Sequence, residues 1–221
     1  MSKLILAVAL ASPWTFANTQ TMPPCAVSED SIFDEARICG ESHEGSLRKS
    51  DLTVAGFSIG DSTLEDVTKR FSGSHQFRLS KAMEAGTGIC VQNERGLAVV
   101  FSSGDLAEPR ILDSIYMARA ETFEEQGAKC VKVASIPGGA STESGIRLGM
   151  EKGRVFGLLG IPKSTQAKFE VDYTTSPEKA PWVTEKSKPK DDKGWTAMSG
   201  AYGEFRNGRL RWIVLYGGVS G

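Results

Sequence analysis

The sequence predicts an α+β protein built from two tandem repeats, each an amphipathic helix followed by an antiparallel sheet. Two pairs of matching phrases support this prediction. A Gly-x-x-x-Gly phrase opens a helical pattern at residues 56–60 and again at 145–149. Each is followed by a similar hairpin phrase, at residues 101–106 and 205–210. Self-similarity of this kind is typical of duplicated supersecondary units. We therefore expect two copies of one helix-plus-sheet unit.

The N-terminus has the layout of a secretory signal peptide. Lys3 is followed by an apolar run over residues 4–11 and by small residues that end at Ala17. Such a run is shorter than the ~20 apolar residues that a membrane-spanning helix needs. Residues 1–17 are thus predicted to be removed on export, which predicts a periplasmic or secreted mature chain. No later segment predicts a membrane span.

The rest of the chain divides by composition and by the repeats. Residues 18–50 are polar and predict an N-terminal extension that is pinned by the first disulfide. Repeat 1 is predicted over residues 51–135 and repeat 2 over 136–221. The second repeat carries a long polar loop at 174–194, where no periodicity survives and a mobile segment is expected.

Four cysteines in an exported chain predict two disulfides, although three connectivities are open. We favour Cys25–Cys39 and Cys90–Cys130, because both bonds join near neighbours and neither spans a repeat boundary. A zinc site is disfavoured, since the chain has no C-x-x-C motif and only two histidines. No metal and no other cofactor is expected.

Local patterns justify the elements of repeat 1. Residues 62–65 (Ser-Thr-Leu-Glu) match a capping box, and Leu64, Val67 and Phe71 follow at helical spacing. Gly73 is predicted to end this helix. Runs rich in β-forming residues then predict strands, at residues 89–92, 97–102 and 111–117.

Repeat 2 follows the same plan with a different connection. Val155, Leu158 and Leu159 predict a helix, and residues 160–162 (Gly-Ile-Pro) predict its end. Residues 168–173 predict a strand.

The last hairpin has the strongest local signal. Asn207-Gly208 predicts a two-residue type I′ turn. Centring the turn there pairs Phe205 with Leu210 and Glu204 with Arg211, and it pairs residue 203 with residue 212.

Composition and motifs argue against several functions. The formal net charge is −1 and no basic cluster is present, which disfavours nucleic-acid binding. Residues 56–60 match the G-x-S-x-G motif of serine hydrolases, but that motif needs an acid and then a histidine later in the chain. The only downstream histidine is His75, and Arg147 takes the place of Ser58 in the second repeat. No catalytic residue is expected, and a small serine hydrolase that uses Ser58 is a disfavoured alternative.

Two stretches resemble a known family. Residues 145–155 and 158–162 resemble the helix motif of small outer-membrane assembly lipoproteins of the SmpA/OmlA type, and Tyr202, Phe205 and Leu210 fit the hairpin that follows there. Two such units in tandem resemble the β-lactamase inhibitor protein (BLIP) family, which implies a concave sheet that grips a partner protein. No cysteine directly follows the apolar N-terminal run, so lipid anchoring is not expected, and no inhibitory loop can be matched.

The resemblance implies an exported, non-enzymatic module that binds another protein, such as an inhibitor or immunity-type protein that acts on a periplasmic or secreted enzyme. An envelope-assembly accessory factor and a small-molecule binder are alternatives. Binding hot spots favour Trp, Tyr and Arg, which makes Trp195, Tyr202, Arg211 and Trp212 the candidate partner-binding residues. The partner's identity and the oligomeric state are left open.

Overall fold

A computed structural model describes residues 43–79, 86–104, 110–162, 165–188, 190 and 194–220. The predicted signal peptide, most of the predicted extension and the Cys25–Cys39 pair lie outside these residues.

Eleven strands are present in the described residues, and nine of them form one sheet. They are β1 (His43–Glu44), β2 (Thr53–Val54), β3 (Phe57–Ser58), β4 (Gln76–Leu79), β5 (Gly86–Gln92), β6 (Leu97–Gly104), β7 (Ser114–Arg119), β8 (Val131–Lys132), β9 (Lys168–Thr175), β10 (Thr196–Arg206) and β11 (Arg209–Ser220). The main sheet has the order β1-β9-β10-β11-β7-β6-β5-β4, and β8 also pairs with β5. It is mixed, because β1 pairs with β9 and β8 pairs with β5 in parallel. Strands β2 and β3 form a separate two-stranded sheet.

Helices are few and short in this part of the chain. The α-helices are α1 (Leu64–Arg70), α2 (Ala120–Glu124) and α3 (Lys152–Leu159), and single 3-10 turns lie at Lys49–Leu52, Pro137–Gly139 and Pro177–Lys179. No helix among the described residues is long and apolar enough to cross a membrane.

The predicted fold class is therefore wrong. Instead of a pair of helix-plus-sheet repeats, the chain is mostly β, with a nine-stranded mixed sheet and a small second sheet. The two Gly-x-x-x-Gly phrases do precede α1 and α3, but these helices have only 7 and 8 residues. Sheet pairing runs without a break from β11 to β7, where Ile213 pairs with Met117 and Leu215 with Ile115. A repeat of local phrases could not predict this long-range pairing. The predicted domain boundaries stay a prediction.

Helices α1 and α3 cover the same side of the main sheet, which we call the first face. Under α1, the Phe57 ring lies 5.3 Å from that of Phe101. Under α3, the Phe156 ring contacts Phe169 at 5.6 Å and Phe205 at 5.4 Å, each edge to face. Edge-to-face contacts of this kind add to the stabilisation that buried apolar area provides. The first face is therefore the main hydrophobic core.

The opposite side of the sheet, the second face, is covered at β6 and β7 by α2. Phe123 of α2 is fully buried in a cluster that also contains Val100 and Tyr116. The predicted Cys90–Cys130 disulfide is confirmed, and it ties the segment after α2 to β5. Cys90 is completely buried.

Helix α1 starts one residue later than the capping box at residues 62–65 predicts. Thr63 is the N-cap, its hydroxyl accepting from the backbone N–H of Asp66 at 3.2 Å, and Asp66 accepts in return from the N–H of Thr63 at 2.9 Å. The predicted cap, Ser62, instead accepts from the N–H of Ser58 at 3.0 Å. Its hydroxyl thereby closes the turn that follows β3. Two equally good capping patterns overlap in the sequence, and the turn decides between them.

The segment after β9 is packed, in contrast to the predicted mobile loop. Trp182 is 1% exposed, and its indole N–H donates to the Ser46 hydroxyl at 2.9 Å. The Thr184 hydroxyl donates to the carbonyl of Gly60 at 2.8 Å. The apolar residues 180–183 (Ala-Pro-Trp-Val), within an otherwise charged stretch, were the signal of this packing.

Gly60 and Gly56 of the first Gly-x-x-x-Gly phrase offer a matched pair of substitutions. Both have positive φ, +76° and +82°, so Ala is strained at either position. A Cβ at position 60 would lie 2.7 Å from the backbone oxygen of Trp182, whereas no atom of the described residues lies within 4 Å of one at position 56. We expect Gly60→Ala to lower the free energy of unfolding by about 3 kcal/mol or more and Gly56→Ala by about 1 kcal/mol. Urea denaturation of the two variants measures this. Equal losses would contradict the close contact with Trp182.

Candidate binding face

Strand alternation places different chemistry on the two faces of β9. Phe169 and Val171 belong to the core of the first face. Successive side chains of a strand point to opposite sides, so Glu170 and Asp172 face the second side. Both carboxylates are half-buried. An acidic pair thus lies on the side of β9 opposite to α3.

The second face of β9, β10 and β11 is covered by none of the three described helices. Helix α2 packs on β6 and β7, and α3 lies on the other side of the sheet. We call this region the open face and define it by the second-face residues Glu170, Asp172, Met198, Tyr202, Trp212 and Tyr216. All are half-buried except Tyr202, which is 7% exposed.

Aromatic rings form the centre of the open face. The Tyr202 ring lies 5.9 Å from that of Trp212, edge to face, and 6.1 Å from that of Tyr216. Tyr202 therefore supports two partly exposed rings from below. Two of the four predicted partner-binding residues, Tyr202 and Trp212, are thus in contact.

The hairpin turn is as predicted, but the register beyond it is not. Asn207 and Gly208 both have positive φ, as a type I′ turn requires. Phe205 pairs with Leu210, but a bulge then pairs Glu204 with Trp212 rather than with Arg211. The bulge turns Trp212 to the same side as Tyr202, whereas the predicted register separates them.

Arg211 is the extra residue of the bulge, and it is exposed. Its guanidinium lies 3.4 Å from Oε1 of Glu204, and the Trp212 indole N–H donates to Oε2 of the same carboxylate at 3.0 Å. Glu204 therefore holds Arg211 and Trp212 together. Trp195 is half-buried and precedes β10, at the opposite end of that strand from the turn. Whether these residues bind a partner stays a prediction.

The acidic pair is the part of the open face that sequence reasoning missed. Burial, followed by repulsion from Asp172, raises the pKa of Glu170 from its ordinary 4.5 to about 7. Burial also raises the pKa of Asp172, although the positive charge of His43 works against this. The only sequence signal was two acids at alternate positions in an otherwise β-forming run.

A glycine lets Tyr216 approach this acidic pair. In the sheet register Gly200 lies between Asp172 on β9 and Tyr216 on β11. A Cβ at position 200 would collide with the Tyr216 hydroxyl oxygen, so the phenol lies directly over Gly200. The ring therefore reaches across β10 toward the carboxylates of β9.

A cleft of about 320 Å³ opens beside these groups at one end of the strands. Its lining includes Asp113, Asp172, Met198, Tyr216 and Gly218. Such a volume is at the lower end of the range for ligand sites. The cleft thus has acidic, thioether and aromatic walls within one small space.

Asp113 is committed to internal hydrogen bonds. Its carboxylate accepts from the backbone N–H of Gly104 and, at 3.2 Å, from the hydroxyl of Ser102. Burial raises the pKa of Asp113, and these hydrogen bonds oppose that rise. This side chain fixes the entry of β7 beside the cleft, while Asp172 presents an oxygen that has no partner in the described part of the chain.

Ser58, the serine of the G-x-S-x-G motif, is held in a local hydrogen-bond chain. It is 7% exposed, and its hydroxyl lies 2.7 Å from that of Thr53. The Thr53 hydroxyl donates its own proton to the carbonyl of Lys49. Consequently Ser58 must be the donor to Thr53. In this geometry the Ser58 proton is directed to a threonine rather than to a base.

A second, larger cleft of about 700 Å³ lies between α1 and residues 137–143. Charged groups of both signs line it, including Asp66, Lys69 and Arg70. Asp66 is occupied by the cap of α1, and Lys69 pairs with Glu65 at 2.9 Å. No group of three or more His, Cys, Asp or Glu side chains in the described ranges is arranged to hold a metal ion.

Comparison with known proteins adds no relative. No protein-family description, no curated protein and no solved structure matches the chain. The resemblance to BLIP-like and SmpA/OmlA-like proteins therefore stays a prediction.

The raised pKa of Glu170 makes a testable prediction about stability. An acid whose pKa is raised in the folded state is penalised once it must ionise. The free energy of unfolding should therefore fall as the pH rises from about 4.5 to about 7 and then level off. Glu170→Gln should remove this loss and stabilise the protein by about 1–2 kcal/mol at pH 8, after allowance for solvent screening of a half-buried group, but hardly at pH 4.5. Urea denaturation at the two pH values measures this. Glu65→Gln, on the exposed side of α1, is the control. If Glu170→Gln changed the free energy of unfolding by the same amount at pH 4.5 and at pH 8, the raised pKa of Glu170 would be contradicted.

Proposed function

We propose that this chain is an exported, non-enzymatic protein-binding module that uses the open face to hold its partner. An inhibitor or immunity-type role against a periplasmic or secreted enzyme is the form we favour. The buried Cys90–Cys130 disulfide supports an oxidising compartment. We also propose that the mature chain works in the periplasm or outside the cell.

The observation that carries the proposal is the pair of half-buried rings, Trp212 and Tyr216, on a part of the sheet that no helix covers among the described residues. Aromatic side chains on a fixed scaffold give large contact areas at low entropic cost. Glu204 holds the Trp212 indole in place before any partner arrives. Preorganisation of this kind favours tight binding.

The test is capture from an extracytoplasmic extract of the source organism with the mature chain, followed by measurement of the affinity for the captured protein. Trp212→Ala should weaken binding by about 30-fold or more, as for an interface hot spot. Arg154→Ala, an exposed substitution on α3, is the control and should change the affinity less than about twofold. Equal affinities of wild type and Trp212→Ala would contradict the proposal. A captured hydrolase would favour the inhibitor role, and a captured outer-membrane assembly complex would favour the accessory role.

A further inference from the structure

Three buried polar atoms near the cleft have no hydrogen-bond partner among the described residues. They are Oε1 of Glu170, Oδ1 of Asp172 and the hydroxyl oxygen of Tyr216. Buried polar atoms are nearly always hydrogen-bonded in folded proteins, since leaving one unpaired costs free energy of the same size as a lost hydrogen bond. Two of these atoms lie on β9 and the third on β11, one strand further on, and together they point to a group that is supplied from outside the chain.

The chemistry of these atoms selects the charge of that group. Two of the three are carboxylate oxygens, which accept hydrogen bonds, and no described ion pair involves Glu170 or Asp172. The charge of His43 acts on Asp172, but no ion pair joins the two among the described residues. Two other cations near the open face have other partners. Arg211 is bound to Glu204, and Lys168 pairs with Glu204 in the register. The complementary ligand is a cation that donates several hydrogen bonds.

The residues that line the cleft favour a planar cation. Tyr216 presents a ring that reaches over Gly200, and Met198 presents a polarisable thioether in the neighbouring row. A planar guanidinium stacks on aromatic rings and donates to a carboxylate through two N–H groups at once. An ammonium group also makes cation–π contacts, but it is not planar and lacks the fixed pair of N–H groups that matches a carboxylate. A cleft of about 320 Å³ suits a side chain better than a larger molecule.

We propose that the cleft beside Asp172 and Tyr216 receives the guanidinium group of an arginine side chain of the partner protein. This inference rests on the proposed function and names the anchor that the open face would recognise. Asp172 accepts from the guanidinium, the Tyr216 ring stacks on it, and Glu170, when it is ionised, adds negative charge from two residues away.

The test is an NMR titration of the ¹⁵N-labelled mature chain with N-acetyl-arginine methylamide as the probe, at about 0.15 M salt to screen exposed charges. N-acetyl-citrulline methylamide, which has the same shape and no charge, is the matched probe. We expect saturable amide shifts confined to β9, β10, β11 and the start of β7, with at least about tenfold weaker binding of the citrulline probe. N-acetyl-lysine methylamide should bind several-fold more weakly than the arginine probe.

Three variants locate the binding. Asp172→Asn keeps the size of the side chain and should weaken binding of the arginine probe by about tenfold, and Tyr216→Phe should weaken it less because the ring remains. Glu65→Gln is the control and should leave binding of the arginine probe unchanged.

Thermal unfolding of each variant establishes that the variant is folded. Equal binding of the two matched probes, unchanged binding by Asp172→Asn, or no saturable shift with the arginine probe would overturn the proposal. Saturable binding of Ca²⁺ in place of the arginine probe at the same residues would also overturn it.

The outcome separates this inference from the proposed function. If Trp212→Ala abolishes partner binding while Asp172→Asn has no effect on either the partner or the probe, the open face binds a partner without an arginine anchor. If the arginine probe binds as expected but Trp212→Ala leaves partner binding unchanged, the cleft is a cation site and the proposed function fails.

Discussion

Trp182→Ala is expected to lower the free energy of unfolding by about 3–5 kcal/mol, the usual range for removal of a fully buried large aromatic side chain. Trp182 is 1% exposed, and its ring contacts two different parts of the fold. It packs against the turn at Gly60 and lies 3.4 Å from the position that a Cβ of Gly217 would take. Its indole N–H also donates to Ser46. One side chain therefore joins the N-terminal segment, the turn after β3 and the strand β11.

Two further variants separate the causes of this loss. Trp182→Phe keeps an apolar ring but loses the donor to Ser46, so it should cost clearly less than Trp182→Ala. Trp212→Ala removes a half-exposed ring and should cost less than half as much as Trp182→Ala. Urea denaturation with a common m-value measures all three. A loss below about 1 kcal/mol for Trp182→Ala would mean that the segment after β9 does not pack as described.

Removal of the Cys90–Cys130 disulfide is the second substitution with a large expected effect. The bond joins residues 40 apart in sequence, and closure of a loop of this length restricts the unfolded chain by about 4 kcal/mol in the chain-entropy account. We expect the double variant Cys90→Ala/Cys130→Ala to lose about 3–4 kcal/mol in urea denaturation.

The loss should be accompanied by local loosening on the second face. The disulfide holds the segment after α2 beside β5, where Val131 pairs with Val91. Amide hydrogen exchange should accelerate first at β8 and α2, while β10 and β11 remain protected. A double variant that is as stable as the wild type would contradict the account, since it would show that packing of Phe123 alone fixes this segment.

Local signals predicted local structure well. The Asn207-Gly208 turn and the end of α3 at Gly160 both form as expected. The residues at these positions have a positive φ, and Gly and Asn adopt it readily whatever the rest of the chain does. Strands β5 and β6 were also located within a few residues. Each of these elements has a periodicity or a turn residue that needs no information from elsewhere in the chain.

The arrangement of the sheet could not be predicted in the same way. The neighbours β11 and β7 are distant in sequence, and no local pattern in Ile213 or Met117 names the other as its partner. The bulge at Glu204 and Phe205 reversed the side on which every later residue of β11 lies. One inserted residue, Arg211, was therefore enough to misplace Trp212 relative to Tyr202.

The acidic part of the open face was missed for a related reason. Glu170 and Asp172 are ordinary as two acids in a strand. Burial raises the pKa of both, and for Glu170 repulsion from Asp172 adds to the rise. Gly200 has no sequence signal that distinguishes it from a turn glycine. Its role depends on the register that places Tyr216 over it. A site assembled across three strands becomes visible only when the strands are paired.

Site-specific photocrosslinking in cells of the source organism tests most directly whether the open face holds a partner protein. Arg211, which is exposed beside Trp212, and, in a second variant, Arg154 of α3 are replaced by p-benzoylphenylalanine, which crosslinks only what lies within a few ångströms. Our account predicts a discrete adduct with one other protein from position 211 and none from position 154. An adduct from position 154 alone, or no adduct from position 211, would contradict it.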